Sequence, residues 1–585
     1  MLAPTIKRTW RPWRPASLVF VGLVTYAISW RQGQRSTSTL LTTFSGAWLA
    51  LFAVWAIWMN QLYPKLFSPL RHLPGPKDNS FWNGQQARIA KEPTGAPMTD
   101  WLNSIPNDGF IRYLSILNIE RLAPTSAKAL QEILVTKNYD FEKPEDFRHT
   151  IGRILGVGIL LAEGDEHKAQ RRALNPAFGF RHIKDLVPVF WSKSVESVLA
   201  MTAQIDADAD ADADAPGPRT ARLEASGWAS RATLDIIGVA GLGRDFGAIA
   251  NPDTELTRTY NNLFKPSRQA QILGMLGLII GGWAVSMLPI SRNNDIQASS
   301  KLIRATCRDL IREKQAKLNE RKKDETGDGD AAGPRDVDIL SVALESGGFS
   351  EENLVDQLMT FLAAGHETTA SAMTWAVYLL SVNPGVQSRL RAEVRARLPA
   401  PGSDGAAAAS PSPVTSVDID RMPYLNAVCL EILRYFAPAP NTLRVSNKDT
   451  TVQGQFVPKG TRVMLVISAL NKSTALWGPD AGSFNPDRWL DPVPGGGGEA
   501  YVVNNNGGAA SNFALMTFLH GPRSCIGSAF ARAEFACLLA AWVGRFEFSL
   551  QHAEEMDEKN VDIKGGITQR PANGMRVWAR VMEGW

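Results

Sequence analysis

The sequence predicts a mainly α-helical protein with small β-sheets, in which one large domain follows an N-terminal membrane anchor. Residues 354–380 form an apolar stretch of helical length, and two further apolar segments precede residue 60. Short β-prone segments lie at 445–466 and near the C-terminus. No internal repeat divides residues 77–585, so this part of the chain is interpreted as a single domain.

Composition limits the class of protein. The chain has 585 residues, of which 44% are hydrophobic and 21% charged, as expected for a globular chain with added membrane segments. A net charge of only +4 provides no basis for nucleic-acid binding. The cysteines are too few and too scattered for a secreted disulfide scaffold, which indicates a reducing compartment. They are Cys307, Cys429, Cys525 and Cys537.

The predicted anchor covers residues 1–72 and contains two apolar segments. Residues 15–30 are short for a span, which needs roughly 17–25 residues, whereas residues 40–59 are long enough. Basic residues ahead of the first segment should stay in the cytosol. These are Lys7, Arg8, Arg11 and Arg14. A single span would separate this basic tail from the large domain, so a helical hairpin that keeps both in the cytosol is favoured.

The anchor ends at residues 73–76, Leu-Pro-Gly-Pro, because this sequence cannot continue a helix and sets a stiff turn. A third apolar run occupies residues 272–290. Two interpretations of this run stay open: shallow insertion into the bilayer, and a buried core helix.

The most informative motif surrounds one cysteine and reads Phe518-Leu-His-Gly521-Pro-Arg523-Ser-Cys525-Ile-Gly527. Cys525 has no CxxC partner, which argues against a structural zinc site and a disulfide framework. A lone cysteine is most often an inert buried residue. The surrounding residues instead favour a single thiolate ligand to haem iron.

Each neighbour suits that role. Gly521 and Gly527 lack a Cβ, so their backbone can approach a flat macrocycle closely. The helix that follows Cys525 can direct N–H groups and its positive end towards the sulfur. Phe518 can shield the sulfur from water, and Arg523 can pair with a haem propionate.

A second motif lies inside the apolar stretch and reads Ala364-Gly365-His366-Glu367-Thr368-Thr369. Polar side chains in a plain core would be costly. Glu367 and Thr368 place a carboxylate beside a hydroxyl, and such a pair can carry protons into a dry pocket. Gly365 and the threonine hydroxyls can loosen the helix and open a groove. The alternative, an exposed polar patch, fits the apolar flanks less well.

A third motif is Glu431-Ile-Leu-Arg434, whose charged residues lie three apart on one helix face. Such a pair is usually exposed and contributes little. The apolar neighbours within 424–436 make burial the better interpretation. The sequence Phe484-Asn-Pro486-Asp-Arg488-Trp489 follows downstream.

Together these motifs resemble those of the cytochrome P450 family. The cysteine motif matches the family's haem-binding signature at every fixed position and continues with Ala531 and Glu534. The Ala364–Thr369 motif resembles that of the oxygen-activating helix, and residues 73–76 resemble the proline-rich hinge. The resemblance covers most of the chain from Leu73 onward, and it implies the cytochrome P450 fold for residues 77–585.

The resemblance also implies a cofactor and its ligands. Haem b would be held by the Cys525 thiolate, with Phe518, Gly521, Gly527 and Gly365 around it. Three arginines, Arg171, Arg444 and Arg523, would face the propionates. Arg171 lies in His167-Lys-Ala-Gln-Arg171, where the family often has Trp in place of His167. For Arg444, an ordinary surface arginine is an equally open interpretation. Glu431, Arg434 and Arg488 would form a structural triad.

The implied activity is a monooxygenase reaction, with O2 as the oxidant and Thr368 and Glu367 delivering protons. Electrons would come from NADPH–cytochrome P450 reductase at the endoplasmic reticulum membrane, with the catalytic domain in the cytosol. The expected reductase contact is basic: Lys168, Arg172, Arg181 and Lys184. An ordinary solvated helix face is an equal alternative for this set.

By the resemblance, the substrate pocket would be lined mostly by small or apolar residues, which favours a lipophilic small molecule; they are Phe361, Ala363, Ala364, Ala437–Leu443 and Gly566–Thr568. The long loops and double anchor resemble fungal members that tailor secondary metabolites, so a terpenoid, polyketide or alkaloid-type intermediate is expected. A fatty-acid hydroxylase is the first alternative. A reductase-independent peroxide isomerase, and a haem-thiolate sensor without turnover, both leave the Glu367–Thr368 pair unexplained. A purely structural membrane protein leaves the Cys525 motif unexplained.

Overall fold

The computed structural model describes residues 12, 15–33, 36–209, 215–254, 258–259, 273, 285, 287, 290–325, 337–401, 413–494 and 500–585. The apolar run at 272–290 therefore lies almost entirely outside the described residues. The chain divides into a small unit, Met1–Glu142 with Thr442–Val466, and a large unit, Lys143–Asn441 with Ile467–Trp585. Helices dominate and the sheets are small, which confirms the predicted fold class.

The α-helices are given in chain order. They are α1 Pro15–Gln32, α2 Thr37–Ile57, α3 Gln86–Lys91, α4 Ala96–Ser104, α5 Ala127–Gln131, α6 Glu145–Leu155, α7 Gly164–Leu174, α8 Phe180–Asp185, α9 Val187–Asp208, α10 Ala225–Ile236, α11 Ser291–Glu325, α12 Ile339–Ser346, α13 Glu351–Val382, α14 Pro384–Arg397, α15 Ser416–Asp420, α16 Pro423–Tyr435, α17 Ile467–Leu470, α18 Thr474–Trp477 and α19 Ser528–Arg545.

The strands are short. They are β1 Phe110–Leu114, β2 Glu120–Pro124, β3 Phe141–Glu142, β4 Thr220–Glu224, β5 Thr442–Ser446, β6 Thr450–Val452, β7 Gln455–Val457, β8 Arg462–Leu465, β9 Leu490–Pro492, β10 Tyr501–Val503, β11 Phe546–Leu550, β12 Ile563–Gly565, β13 Gln569–Pro571 and β14 Arg576–Val581.

The small unit begins with the apolar helices α1 and α2, which pack against each other. Helix α2 continues as a π-helical segment, Trp58–Phe67. The combined helix Thr37–Phe67 is long and apolar enough to cross a membrane, and it is the one such helix in the described parts of the chain. A second span through α1 therefore stays a prediction.

The rest of the small unit is built on a five-stranded sheet with the order β1-β2-β8-β5-β3. Only the β2–β8 pair is parallel. The predicted stiff turn lies beside this sheet, where the Arg112 N–H donates to the Pro74 carbonyl at 2.8 Å.

The core of the large unit surrounds the 32-residue helix α13. The Ser350 side chain caps its first turn by accepting from the Asn353 N–H, and two glutamates follow, which suit a helix N-terminus. Further along, Trp375 stacks on Phe436 with ring centres 3.9 Å apart. Helices α10, α11, α16 and α19 all pack against α13, which places its central motif inside the protein.

The large unit also contains a three-stranded antiparallel sheet, β11-β14-β4, and two hairpins, β9–β10 and β12–β13. Strand β14 shows the expected alternation, because Val577, Ala579 and Val581 are buried while their neighbours are more exposed.

Candidate active site

The Cys525 loop is a short, defined turn ahead of α19. The Cys525 N–H donates to the Phe518 carbonyl at 2.8 Å, closing the loop. Gly521 has a φ of 77°, a left-handed conformation that favours glycine. The loop therefore presents Cys525 one turn before α19 begins at Ser528.

Cys525 differs from the other cysteines. It is accessible, whereas Cys307, Cys429 and Cys537 are buried. Desolvation nevertheless raises the pKa of the Cys525 thiol, while the Gly527 N–H and Arg171 oppose that rise. Burial raises the pKa of Cys307 to about 12. Because a metal ligand must be reachable, Cys525 is the cysteine suited to ligation.

Two of the predicted propionate arginines lie close to this loop. The Arg171 Nη1 donates to the Ser524 carbonyl at 2.6 Å, and its Nε donates to Asn175 Oδ1 at 3.2 Å. Arg523 is buried and forms an ion pair with Glu163. Sequence reasoning missed Glu163, since nothing in the motif marks a carboxylate as a partner of Arg523.

The third arginine lies on β5 in the small unit. Arg444 is buried, and its Nη1 donates to Thr442 Oγ1 and to the Leu443 carbonyl, both at 3.0 Å. The alternative interpretation of Arg444 as an ordinary surface arginine is therefore wrong.

The Ala364–Thr369 motif lies at the centre of α13 and opens one side of an otherwise buried helix. Ala364 is exposed and Glu367 and Thr368 are partly exposed, whereas His366 and Thr369 are buried. The Thr368 hydroxyl donates to the Ala364 carbonyl at 2.7 Å. Residues four apart share a helix face, so Ala364 and Thr368 line the same accessible side.

The buried members of this motif hold α13 against its neighbours. His366 Nε2 is 2.8 Å from Ser230 Oγ on α10, and burial lowers the pKa of His366 to about 3, so the ring is neutral. Gly365 contacts the same region: a Cβ at this position would fall 2.9 Å from Ile237 Cδ1. The absent side chain of Gly365 therefore allows close packing against Ile237.

Glu367 is directed towards the β12–β13 hairpin. Its Oε1 accepts from Thr568 Oγ1 at 3.1 Å and is 3.1 Å from Arg570 Nη1. Desolvation raises the pKa of the Glu367 carboxyl group, while Arg570 and Thr568 oppose that rise. The sequence motif contained no signal for either partner.

The predicted network of Glu431, Arg434 and Arg488 is formed and deeply buried. Arg434 makes a two-point contact with the Glu431 carboxylate, at 2.8 and 2.7 Å, and both residues are fully buried. Arg488 Nε lies 3.3 Å from Glu431 Oε1, and Trp489 Nε1 donates to the same carboxylate at 2.9 Å. Such a network is stable only because its polar atoms are matched.

The basic set proposed for reductase contact lies on α7, which carries Lys168 and Arg172, and on α8, which carries Arg181 and Lys184. Arg172 and Arg181 are exposed. Lys168 pairs with Asp165 at 2.8 Å, and Lys184 pairs with Asp420 at 3.2 Å. The two arginines are therefore the stronger members of the set.

Comparison with known proteins identifies the class. The Cytochrome P450 family profile matches residues 111–576. The chain is 46% identical to the cytochrome P450 monooxygenase sphH of Aspergillus fumigatus, with 90% of each chain covered. It is 43% identical to the cytochrome P450 monooxygenase FUM15 of Gibberella moniliformis, with 94% of this chain and 95% of that protein covered.

A third relative, the cytochrome P450 monooxygenase ALT8 of Alternaria alternata, is 42% identical, with 94% of this chain and 97% of that protein covered. The chain belongs to the cytochrome P450 family, and the protein is an oxidoreductase of the monooxygenase type.

The family implies a haem with thiolate-ligated iron, and the residues present fit that group. One accessible thiol receives the Gly527 N–H, and Arg171 is held beside the same loop. In the described ranges, no three His, Cys, Asp or Glu side chains converge as a separate metal site. The accessible Cys525 thiol and the Arg171 guanidinium beside its loop fit a single-thiolate haem site.

Proposed function

We propose that this protein inserts one oxygen atom from O2 into a lipophilic small molecule of secondary metabolism, using haem held by the Cys525 thiolate. The observation that carries this proposal is the accessible Cys525 thiol at the N-terminus of α19, in a protein whose other cysteines are buried. Bound through a thiolate, the haem supplies the oxygen-activating chemistry.

The chain's own residues have separate tasks in this proposal. Arg171 and Arg523 bind the propionates, and the Gly527 N–H stabilises negative charge on the sulfur. Thr368 and Glu367 move protons along the accessible side of α13. Ala364 keeps that side apolar and open, which suits a lipophilic substrate.

The first test is the ferrous–CO difference spectrum of membrane-expressed protein. We expect the red-shifted Soret band of thiolate-ligated haem, and we expect Cys525→Ser to abolish it. Cys307→Ala is the matched control, because Cys307 is buried and lies on α11. A histidine-type CO spectrum in the wild-type protein, or a retained thiolate band in Cys525→Ser, would contradict the proposal.

The proton-delivery role is tested with Thr368→Ala. In a system reconstituted with NADPH–cytochrome P450 reductase, the variant should release a larger share of NADPH electrons as hydrogen peroxide. Thr374→Ala is the matched control, because Thr374 makes the same bond to the carbonyl four residues earlier, at 2.8 Å, but is buried. An unchanged peroxide share in Thr368→Ala would exclude Thr368 from proton delivery.

The electron donor is part of the same proposal. Charge reversal of Arg172 and Arg181 should raise the apparent KM for the reductase and weaken the dependence of that KM on salt. Reversal of exposed Arg576 is the control. NADPH-independent turnover of a hydroperoxide would instead favour a peroxide isomerase.

We place the protein at the endoplasmic reticulum with the large unit in the cytosol, supported by the apolar helix Thr37–Phe67. Protease treatment of sealed microsomes should digest the large unit. Protection of the large unit would reverse this orientation.

A further inference from the structure

Gln569 binds the β12–β13 hairpin to α13. The Gln569 carbonyl accepts from Ser371 Oγ at 2.6 Å and from Trp375 Nε1 at 3.0 Å. Its own N–H donates to the Pro438 carbonyl at 2.9 Å, and its side chain donates to the Ala437 carbonyl at 3.0 Å. The hairpin therefore has a fixed position on α13.

The bonds of Gln569 also fix the backbone of its two neighbours, Thr568 and Arg570. Thr568 immediately precedes β13, and Arg570 is the second residue of that strand. Both contact the same atom, Glu367 Oε1, each at 3.1 Å. The other carboxyl oxygen, Oε2, has no protein partner among the residues that the structure describes.

The electrostatics of Glu367 match a proton carrier. Only 15% of its side chain is exposed, and desolvation raises the pKa of its carboxyl group. The charge of Arg570 lowers this pKa, and the Thr568 hydroxyl acts in the same direction. The adjacent His366 is neutral, because burial lowers its pKa to about 3.

We propose that Arg570 and Thr568 are positioning residues, which hold Oε1 of Glu367 so that Oε2 faces the Thr368 side and exchanges protons there. This inference rests on the proposed function, since it assigns helpers to the same proton path. Two contacts on one oxygen restrict rotation of the carboxyl group. The positive charge of Arg570 also offsets the desolvation of the ionised form, so that Glu367 can release its proton as well as hold it.

The test uses full-length, haem-loaded protein in lipid nanodiscs. Infrared difference spectra between successive pH values report carboxyl groups that gain or lose a proton, and the Glu367 band is the one missing from Glu367→Gln. In Arg570→Gln, we expect the midpoint of that band to move upward by about one pH unit or more. Arg570→Lys keeps the charge and should stay near wild type. Arg576→Gln, an exposed arginine on β14, is the matched control.

A second readout is the share of NADPH electrons released as hydrogen peroxide in the reductase-reconstituted system. Arg570→Gln should raise this share several-fold and Arg576→Gln should not, because only the former disturbs Glu367. A wild-type midpoint or a wild-type peroxide share in an Arg570→Gln protein with an intact CO spectrum would overturn the positioning role.

If Arg570→Gln does not fold, Thr568→Val decides the matter, since it removes only the neutral hydrogen bond. An upward midpoint shift supports the role, and an unchanged midpoint overturns it. A wild-type protein that lacks the thiolate CO band or does not consume NADPH would overturn the proposed function instead, and the CO spectrum of each preparation separates the two failures.

Discussion

The Thr369 hydroxyl donates a 2.8 Å hydrogen bond to the Glu534 carboxyl group, and this bond joins the two motifs that define the site. Thr369 lies on α13 beside Thr368, and Glu534 lies on α19, nine residues after Cys525. Both residues are buried, and desolvation raises the pKa of Glu534 well above its usual value of 4.5. Glu534 therefore links α13 to α19, the helix that follows Cys525, and its burial favours the protonated form of its carboxyl group.

Because Glu534 is buried, Glu534→Gln should change the stability of the folded protein by an amount that depends on pH. A carboxyl group whose pKa is raised on folding stabilises the folded state below pH 4.5, and this stabilisation is lost as the pH rises towards the raised pKa. Glutamine does not titrate, so Glu534→Gln should gain stability over wild type between pH 5 and pH 7. Denaturant unfolding at several pH values measures this difference. Exposed Glu554→Gln should show no such trend, and a constant Glu534→Gln difference would contradict the neutral-acid assignment.

Removing one partner of the Glu431–Arg434 pair should greatly lower the free energy of unfolding. Arg434→Met leaves a fully buried carboxylate without its main cation, which should lower the free energy of unfolding by about 3–5 kcal/mol. The yield of haem-loaded protein and its denaturant midpoint are the measurements. Asp487→Asn breaks the exposed 2.7 Å pair with Arg389 and should change stability by no more than about 1 kcal/mol. If the two substitutions changed the free energy of unfolding by similar amounts, burial would not determine the effect of breaking an ion pair.

His366 predicts destabilisation by acid. Burial lowers the pKa of His366 from 6.5 to about 3. Between these two pH values the ring is protonated in the unfolded chain but neutral in the folded protein. The stabilisation is complete above pH 6.5 and falls as the pH drops, reaching a loss of about 2 kcal/mol at pH 5. His366→Gln should remove this loss when unfolding at pH 7 and pH 5 is compared. Exposed His149→Gln should behave like wild type, and an unchanged pH 7 to pH 5 loss in His366→Gln would refute the assignment.

Arginine substitutions in α1 and α2 test separately whether each helix crosses the membrane. Val54→Arg places a charge within α2, which should cost about 2.5–3.5 kcal/mol of insertion free energy and shift protein out of the integral membrane fraction. Leu23→Arg tests α1: an equal shift indicates a two-span hairpin, and no shift indicates one span. Val502→Arg, on β10, is the control. Carbonate extraction followed by flotation measures all three, and an inert Val54→Arg would argue against membrane crossing by α2.

Local sequence was sufficient to predict contacts within one helix but not contacts between distant segments. The Glu431–Arg434 contact was predictable because residues three apart on a helix must meet. The propionate role of Arg523 stays a prediction, and the structure adds an ion pair between Arg523 and Glu163 from the segment just before α7. Glu163 is distant from Arg523 in the sequence, so the motif around Arg523 cannot predict this contact.

The sequence by itself determined the class of protein, the thiol at Cys525 and the helical motif around Thr368, because these depend on residue type and short spacing. Only the tertiary structure decided that Thr568, 201 residues from Glu367, shares an oxygen of that carboxyl group with Arg570. The physical reason is that the hairpin is placed by Gln569 bonding to α13 and to the Ala437–Pro438 backbone. Such contacts arise from packing between distant segments, which local composition and periodicity do not encode.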